Sequence, residues 1–291
     1  MNPIYVADDL HLRDSVPRCR SLTRQEWYDH QQERLHWLFS HDDDPVVIPG
    51  DIFHRAVTDP LIFTMFAEEL RQRKLPVYYM PGNHDLVNHD HGLFKASTIG
   101  ILPYLEANVL PMTEFCDHVP FGQTEVVKGR NSNFLCLHQL IFDSDAAIPP
   151  GVHGATAESI LTHYPGYKYI LTGDNHKHFV YEKDGRQLLN PGCFTIQDVE
   201  YKDVQPSIFK ISDSGVEELP LPPNTDVIDD SYIVQKKEGE ERRGALVETL
   251  KNVEETSFNF EENVKTYIQV TPTLRPGAVK MAESMLEQVR R

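Results

Sequence analysis

Over the first two-thirds of the chain, short apolar runs alternate with longer stretches of helical periodicity, the pattern of a layered α/β domain. Residues 4–7 form a brief apolar run that stops at Asp8-Asp9. Thr23-Arg-Gln-Glu26 has the form of a capping box, in which the threonine and glutamate side chains each satisfy a free backbone N–H. It opens a helix running to about Phe39. Val46-Val47-Ile48 predicts a short buried strand closed by Pro49-Gly50. Asp59 before Pro60 predicts an N-cap with proline in the first turn. Leu61, Ile62, Met65, Phe66 and Leu70 follow on one helical face. Residues 76–80 predict another strand, again closed by Pro-Gly.

Further on, 133–141 reads as a strand, 156–164 as a helix, and 167–172 as a strand ending at Gly173. Asp184-Gly185 and Ser214-Gly215 are hairpin turn signals between apolar runs. Antiparallel hairpins late in a βαβ chain predict a mixed sheet, or two sheets packed face to face. Residues 220–230 are rich in Pro and Asp and 238–243 are charged, which reads as a linker or loop. Beyond it a helix near 245–253, a strand at 266–270 and a helix over 277–290 suggest a small α/β appendage. The expected division is a main domain over 1–220 and a C-terminal appendage over 221–291.

At 291 residues, 40 % hydrophobic and 25 % charged, the chain is long enough to bury a core without covalent staples. The four cysteines, Cys19, Cys116, Cys136 and Cys193, are nowhere spaced as CxxC, which argues against a zinc ribbon or disulfide framework. Isolated thiols suit a reducing compartment. No apolar run approaches the ~18 residues of a membrane span, and the basic-then-apolar plan of a signal peptide is not seen. The cytoplasm is the expected location. The net charge of −16 counts against a broad non-specific DNA-binding surface, which is usually basic. It leaves nucleic acid open as a substrate, since carboxylates gathered around metal ions contribute to such an excess.

The apolar strands share one feature: each runs into metal-ligand residue types. The five ends read Asp9-Leu-His11, Gly50-Asp51-Ile-Phe-His54, Gly82-Asn83-His84-Asp85, Leu137-His138-Gln139, and Gly173-Asp174-Asn175-His176-Lys177-His178. In α/β sheets ligands bind beyond the carboxyl ends of the strands, so these side chains converge. A lone Asp-x-His or Gly-Asp is a common accident; five in order are not. Glycine before Asp51, Asn83 and Asp174 is expected to permit the tight turns that aim those side chains inward. His30, His36 and His41, on or after a polar helix, are expected to be solvated, and Trp27 and Trp37 to be packing residues. His89 and His91 follow the third motif in a loop where substrate contact and plain exposure are equally open.

These motifs resemble the calcineurin-like metallophosphoesterase superfamily, whose order is D-x-H, G-D-x-x-(H), G-N-H-D/E, H and G-H-x-H. "ADDLHL", "GDIFH", "PGNHD" and "LHQ" look most like the SbcD-type nuclease subunits of double-strand-break repair, over residues 1 to about 200. The resemblance implies a four-layer α/β/β/α sandwich, with the appendage as a reduced cap domain. It implies two divalent metal ions, Mn²⁺ best suited and Mg²⁺, Fe or Zn²⁺ admissible, that share a hydroxide and hydrolyse a phosphodiester. Asp9 and His11 would hold the first ion, Asp51 would bridge, and Asn83 and His138 would hold the second. His84 would face the scissile phosphate with Asp85 holding its ring, and His54 would stand behind it.

The last motif departs from the pattern. Without a gap, Asp174 replaces the first histidine and His176 is the second; with two residues inserted, His176 and His178 are the pair. The ungapped alignment keeps the turn directly after Gly173 and is preferred. DNA is then the expected substrate, with an SbcC-type ATPase partner and a homodimer left open and no membrane association. A small-molecule or nucleotide phosphodiesterase is the competing function, and a non-catalytic scaffold is disfavoured by intact His84 and Asp85.

Overall fold

A computed structural model describes residues 3–231 of the chain, apart from 42, 106, 150, 225, 227 and 230. In chain order the first elements are β1 (Ile4–Val6), α1 (Arg24–Ser40), β2 (Val46–Ile48), α2 (Pro60–Gln72), β3 (Val77–Tyr79) and β4 (Val109–Pro111). Then come β5 (Cys116–Val119), β6 (Asn131–His138), β7 (Ile141–Phe142), β8 (Ala155–Thr156), α3 (Ala157–His163) and β9 (Tyr169–Gly173). Two hairpins follow, β10 (Phe179–Lys183) with β11 (Arg186–Asn190) and β12 (Ser207–Ser212) with β13 (Gly215–Pro220).

Local signals set the helix starts. Thr23 and Glu26 form the expected capping box before α1, and the Asp59 carboxylate accepts from the Leu61 N–H ahead of α2, with Pro60 in its first turn. Asp184 and Gly185 both take positive φ, 53° and 72°, the conformation that a two-residue hairpin turn matched to strand twist requires.

Two mixed sheets result. One has the order β13-β12-β1-β2-β3-β4 and the other β10-β11-β9-β6-β5, while β7 and β8 pair separately. β1 to β4 run parallel, as do β5, β6, β9 and β11, and the hairpin strands close each sheet antiparallel. Side-chain alternation then builds four layers. Ile4 and Val6 of β1 meet Phe134 and Cys136 of β6 and Leu171 of β9 between the sheets. Tyr5 and Ala7 face the opposite way, into a core with Leu35 and Leu38 of α1 and Met65 and Phe66 of α2. Leu135 and Leu137 face Ala157, Ile160 and Leu161 of α3. The order is α/β/β/α, the sandwich expected. All five chemistry-bearing strand ends lie on one rim.

Residues 86–125, where the apolar pattern is silent, hold four 3₁₀ turns together with β4 and β5. The stretch read as a linker is fastened to the main domain in its described part. Leu221 is buried, Arg34 of α1 donates to Pro222 O and Asn224 Oδ1, and Arg20 forms an ion pair with Asp226. The appendage elements expected at 245–253, 266–270 and 277–290 lie outside the described residues. All four cysteines are buried and free, and among the described residues no helix is long and apolar enough to cross a membrane.

Candidate active site

The rim is built on unusual backbone. Asp9, His11, Asp51 and Asp174 all take left-handed φ, between 44° and 77°, a conformation that costs a non-glycine residue of order 1–3 kcal/mol and gathers at functional sites. The turns are therefore made by the candidate ligands themselves. The preceding glycines serve a different purpose from the one expected. None of Gly50, Gly82 or Gly173 takes positive φ; a Cβ on them would lie 2.1 Å from His138 Nδ1, 2.2 Å from Asp51 Oδ1 and 1.3 Å from Asp8 Oδ2 respectively. They are small because side chains of the site pass directly over their Cα atoms.

Among the described residues four overlapping groups of potential ligand atoms form: His11 with His54 and His84, Asp8 with Asp9 and His138, and two that carry the strand-end motifs. Asp9, His11 and His176 bring theirs within 4.8 Å of one another, and so do Asp51, His138 and Asp174. His11 Nε2 lies 3.1 Å from His176 Nε2 and 3.8 Å from Asp9 Oδ1. Asn83 Oδ1 joins the second group, 2.9 Å from His138 Nε2. Asp51 belongs to both, with Oδ2 3.5 Å from His11 Nε2 and 3.4 Å from His138 Nε2. His178 is elsewhere: its ring packs on Phe209, Nδ1 donates to Pro191 O, and Nε2 meets Glu218.

The electrostatics are those of a cluster made for cations. Burial, then the charges of Asp51 and Asp174, push the Asp9 carboxyl up to about 8 against the pull of His138. Burial opposes ionisation of Asp51 too, but His138, His11 and His84 together hold it below the usual carboxylate range. Burial also lowers the His11 and His176 imidazoles. Among the described residues, most buried side-chain atoms without a hydrogen-bond partner gather here: both oxygens of Asp8, Asp9 Oδ2, and Nδ1 of His11, His54 and His138, the others being Arg34 Nε and Asn190 Oδ1. Buried polar groups are nearly always satisfied, so this concentration, with its mixed carboxylate, amide and imidazole donors, fits divalent metal ions.

His84 stands across the first group. Its ring is 4.7 Å from that of His11, edge-on, and its Nδ1 donates to the His54 carbonyl at 2.9 Å. That bond fixes the tautomer and frees Nε2. Asp85 does not hold this ring, as the family pattern suggested. Its carboxylate accepts from the backbone N–H groups of Ile52, Phe53 and Gly82, at 3.2, 2.9 and 3.1 Å, and so ties the second strand-end loop to the third. His54 stacks on His84 at 5.4 Å.

His30 is not solvated but buried beside Trp27 and Arg20, and burial, then the charges of Arg34 and Arg20, takes its imidazole down to about 3. His36 is exposed and meets Glu69, and His41 is bonded to Trp37 O. Trp27 and Trp37 pack as expected. His89 is exposed and bonded to Asn83 O, and His91 is bonded to Phe121 O.

Sequence reasoning passed over Asp8, which is 1 % exposed and close to Asp9 and His138. The signal was available: the alternation that turns Ile4 and Val6 between the sheets turns Asp8 there as well. On the His138–Asp174 side the centre opens into a cavity of about 550 Å³ walled by Phe121, Leu137, Ile160 and Tyr164.

A family model of calcineurin-like phosphoesterases matches residues 3–184. The DNA double-strand break repair protein Mre11 of Archaeoglobus fulgidus is 24 % identical over 54 % of this chain and 42 % of its own length, so the chain spans less than half of that relative. Among solved structures, an archaeal phosphodiesterase superposes with a TM-score of 0.39 at 15 % identity, covering 75 % of this chain and 99 % of that one. Vacuolar protein sorting 29 of Cryptosporidium parvum does so with a TM-score of 0.35 at 17 % identity, covering 75 % and 95 %.

Proposed function

The chain belongs to the calcineurin-like phosphoesterase family, and on that premise we propose that it is a two-metal phosphodiester hydrolase whose substrate is DNA. The observation that carries the chemistry is Asp51, one carboxylate lying against both ligand groups. Asp9, His11, Asp51 and His176 would hold one ion, and Asp51, Asn83, His138 and Asp174 the other. When bound, such a pair supplies positive charge opposite the phosphoryl oxygens and a nucleophile at neutral pH. The chain's own residues do the rest. The water oxygen bonds to phosphorus and gives up a proton, the ester P–O bond breaks, and His84 Nε2, left unprotonated by the Nδ1 bond to His54, takes up that proton and delivers it to the departing oxygen. His54, through its carbonyl, and Asp85, through the loop it ties, hold His84 in place. A carboxylate at 174 instead of an imidazole makes the second shell harder, which favours Mn²⁺ or Mg²⁺ over Zn²⁺.

The likeness to Mre11 supports DNA as the diester; the net charge of −16 favours a small phosphodiester instead. Incubation with Mn²⁺ and labelled single- and double-stranded DNA, beside bis-p-nitrophenyl phosphate and cyclic nucleotides, separates the two. Cleavage of DNA is expected. Intact DNA alongside turnover of a small diester would replace the nuclease reading with the other.

The ligand assignment has its own test in metal counting. Asp174→Ala is expected to deplete one ion and His176→Ala the other, while His178→Ala leaves both bound. If His178→Ala removes a metal and Asp174→Ala does not, the gapped alignment holds.

A further inference from the structure

On the His54 side of the centre, away from the apolar cavity, the chain places two arginines together. Arg13 follows His11-Leu12 directly and Arg55 follows His54. With Leu12, His54, Thr58 and the acidic residues Asp14 and Asp59 they line a hollow of about 260 Å³, and both also border an adjoining one of about 410 Å³ that Arg18 lines as well. Arg13 is held in a fixed pose. Its guanidinium donates to Ser15 Oγ at 2.9 and 3.0 Å and to Gln197 Oε1 at 3.3 Å, and Gln197 in turn donates to the carbonyl of His11. Its backbone is clamped by Trp27 and Gln31 of α1.

Neither guanidinium has a carboxylate partner within 4 Å among the described residues. The acids nearby are engaged elsewhere: Asp14 and Asp59 both face Arg24, at 3.5 and 3.8 Å, and the Asp198 carboxylate caps a turn at Glu200. In a chain of net charge −16, these two arginines repel each other, and Asp14 offsets Arg13 only in part. Burial, then Arg55, lowers the Arg13 guanidinium against the pull of Asp14. Such an arrangement is worth keeping where an anion arrives, because a planar guanidinium matches phosphate oxygens in number and direction.

The geometry points to Arg13 and Arg55 as a subsite for the next phosphate of a phosphodiester strand, on the leaving-group side of the scissile bond. The side follows from position: both arginines flank His54, which stacks on His84, and His84 is the residue assigned to the departing oxygen. This subsite deepens the DNA reading and rests on it. It replaces a broad basic surface by a local one, which the acidic balance of the chain allows. A free nucleotide or inorganic phosphate shares the chemistry, so the test sets them apart from a strand.

The experiment compares a thymidine dinucleotide with one internal phosphate (TpT) and a trinucleotide with two (TpTpT), in Mn²⁺. Wild type, Arg55→Ala, Arg13→Gln and the double variant are measured, with Arg55→Lys and Arg13→Lys as charge-retaining partners. Wild type is expected to prefer TpTpT in kcat/KM, and the double variant to lose at least tenfold of that preference with its metal content unchanged. Binding of a labelled oligo(dT) in Ca²⁺, competed with inorganic phosphate or thymidine diphosphate, gives a readout independent of turnover. The slope of log K against log salt is expected to become shallower by roughly 0.7 per arginine removed, and the lysine variants to restore it. Arg55 is exposed, so its replacement tests the idea even if Arg13 variants fold poorly. An unchanged preference with unchanged salt slope overturns the subsite, whether or not DNA is cleaved. Competition by thymidine diphosphate as strong as by the strand overturns the assignment to a strand. Arginine-dependent binding of oligo(dT) without its cleavage overturns the nuclease reading and leaves the subsite standing.

Discussion

Asp51→Ala is expected to lose both metal ions together and to turn over no faster than the metal-free chain. The reason is geometric. The two ligand groups meet at a single carboxylate, whose Oδ2 lies 3.5 Å from His11 Nε2 and 3.4 Å from His138 Nε2. Without it, Asp9, His11 and His176 on one side and Asn83, His138 and Asp174 on the other each lose their common anion. Metal ions contribute several kcal/mol of transition-state stabilisation in such hydrolases, so the rate should fall by roughly three powers of ten or more. The Asp51 carboxylate also accepts from the His84 backbone N–H at 2.9 Å, and deleting it leaves that part-buried donor unpaired, which itself costs about 1 kcal/mol. Asp51→Asn separates the two effects. It retains an acceptor for His84 N–H but not the bridging charge, so it should fold like wild type and still bind metal poorly. Elemental analysis after dialysis reads the result, and one ion retained at full occupancy would show that the carboxylate does not bridge.

How much of this was legible in the sequence depends on how local each cause is. Helix starts were, because Thr23 with Glu26 and Asp59 with Pro60 act within one turn. The four layers were, because strand alternation decides which core each side chain enters. The convergence of five strand ends followed from topology alone. What escaped was set by contacts between segments far apart in the chain. Asp85 serves N–H groups some 30 residues away at Ile52 and Phe53, so a motif read as one unit hid a cross-loop tie. Gly50 is governed by the ring of His138, from the other sheet, and Gly173 by Asp8. For both, the requirement is space, which has no local signature, whereas a turn would have had one. His30 looked exposed on a polar helix, but Arg20, held by Asp226, and Pro222, bonded to Arg34 of α1, cover that face.

His84→Asn is expected to lower DNA turnover by about 10²–10⁴-fold, the range for a general acid or base, while both metals stay bound. Retention follows from how His84 is attached. Its hydrogen bond to the metal cradle is the backbone N–H to Asp51 Oδ1, which the substitution leaves in place, and among the described residues its ring hydrogen-bonds the His54 carbonyl and lies edge-on to His11. An asparagine can approach that carbonyl too, so the loop should keep its shape and the melting temperature should move little. The loss should also depend on the substrate. If Nε2 protonates the departing oxygen, a diester with a p-nitrophenolate leaving group, which departs without help, should lose much less than DNA, whose leaving group is an alkoxide. An equal loss on both substrates would place the histidine's effect on the phosphoryl oxygens instead of the leaving group. Retention of the wild-type rate, or loss of a metal from the variant, would remove His84 from the role assigned to it.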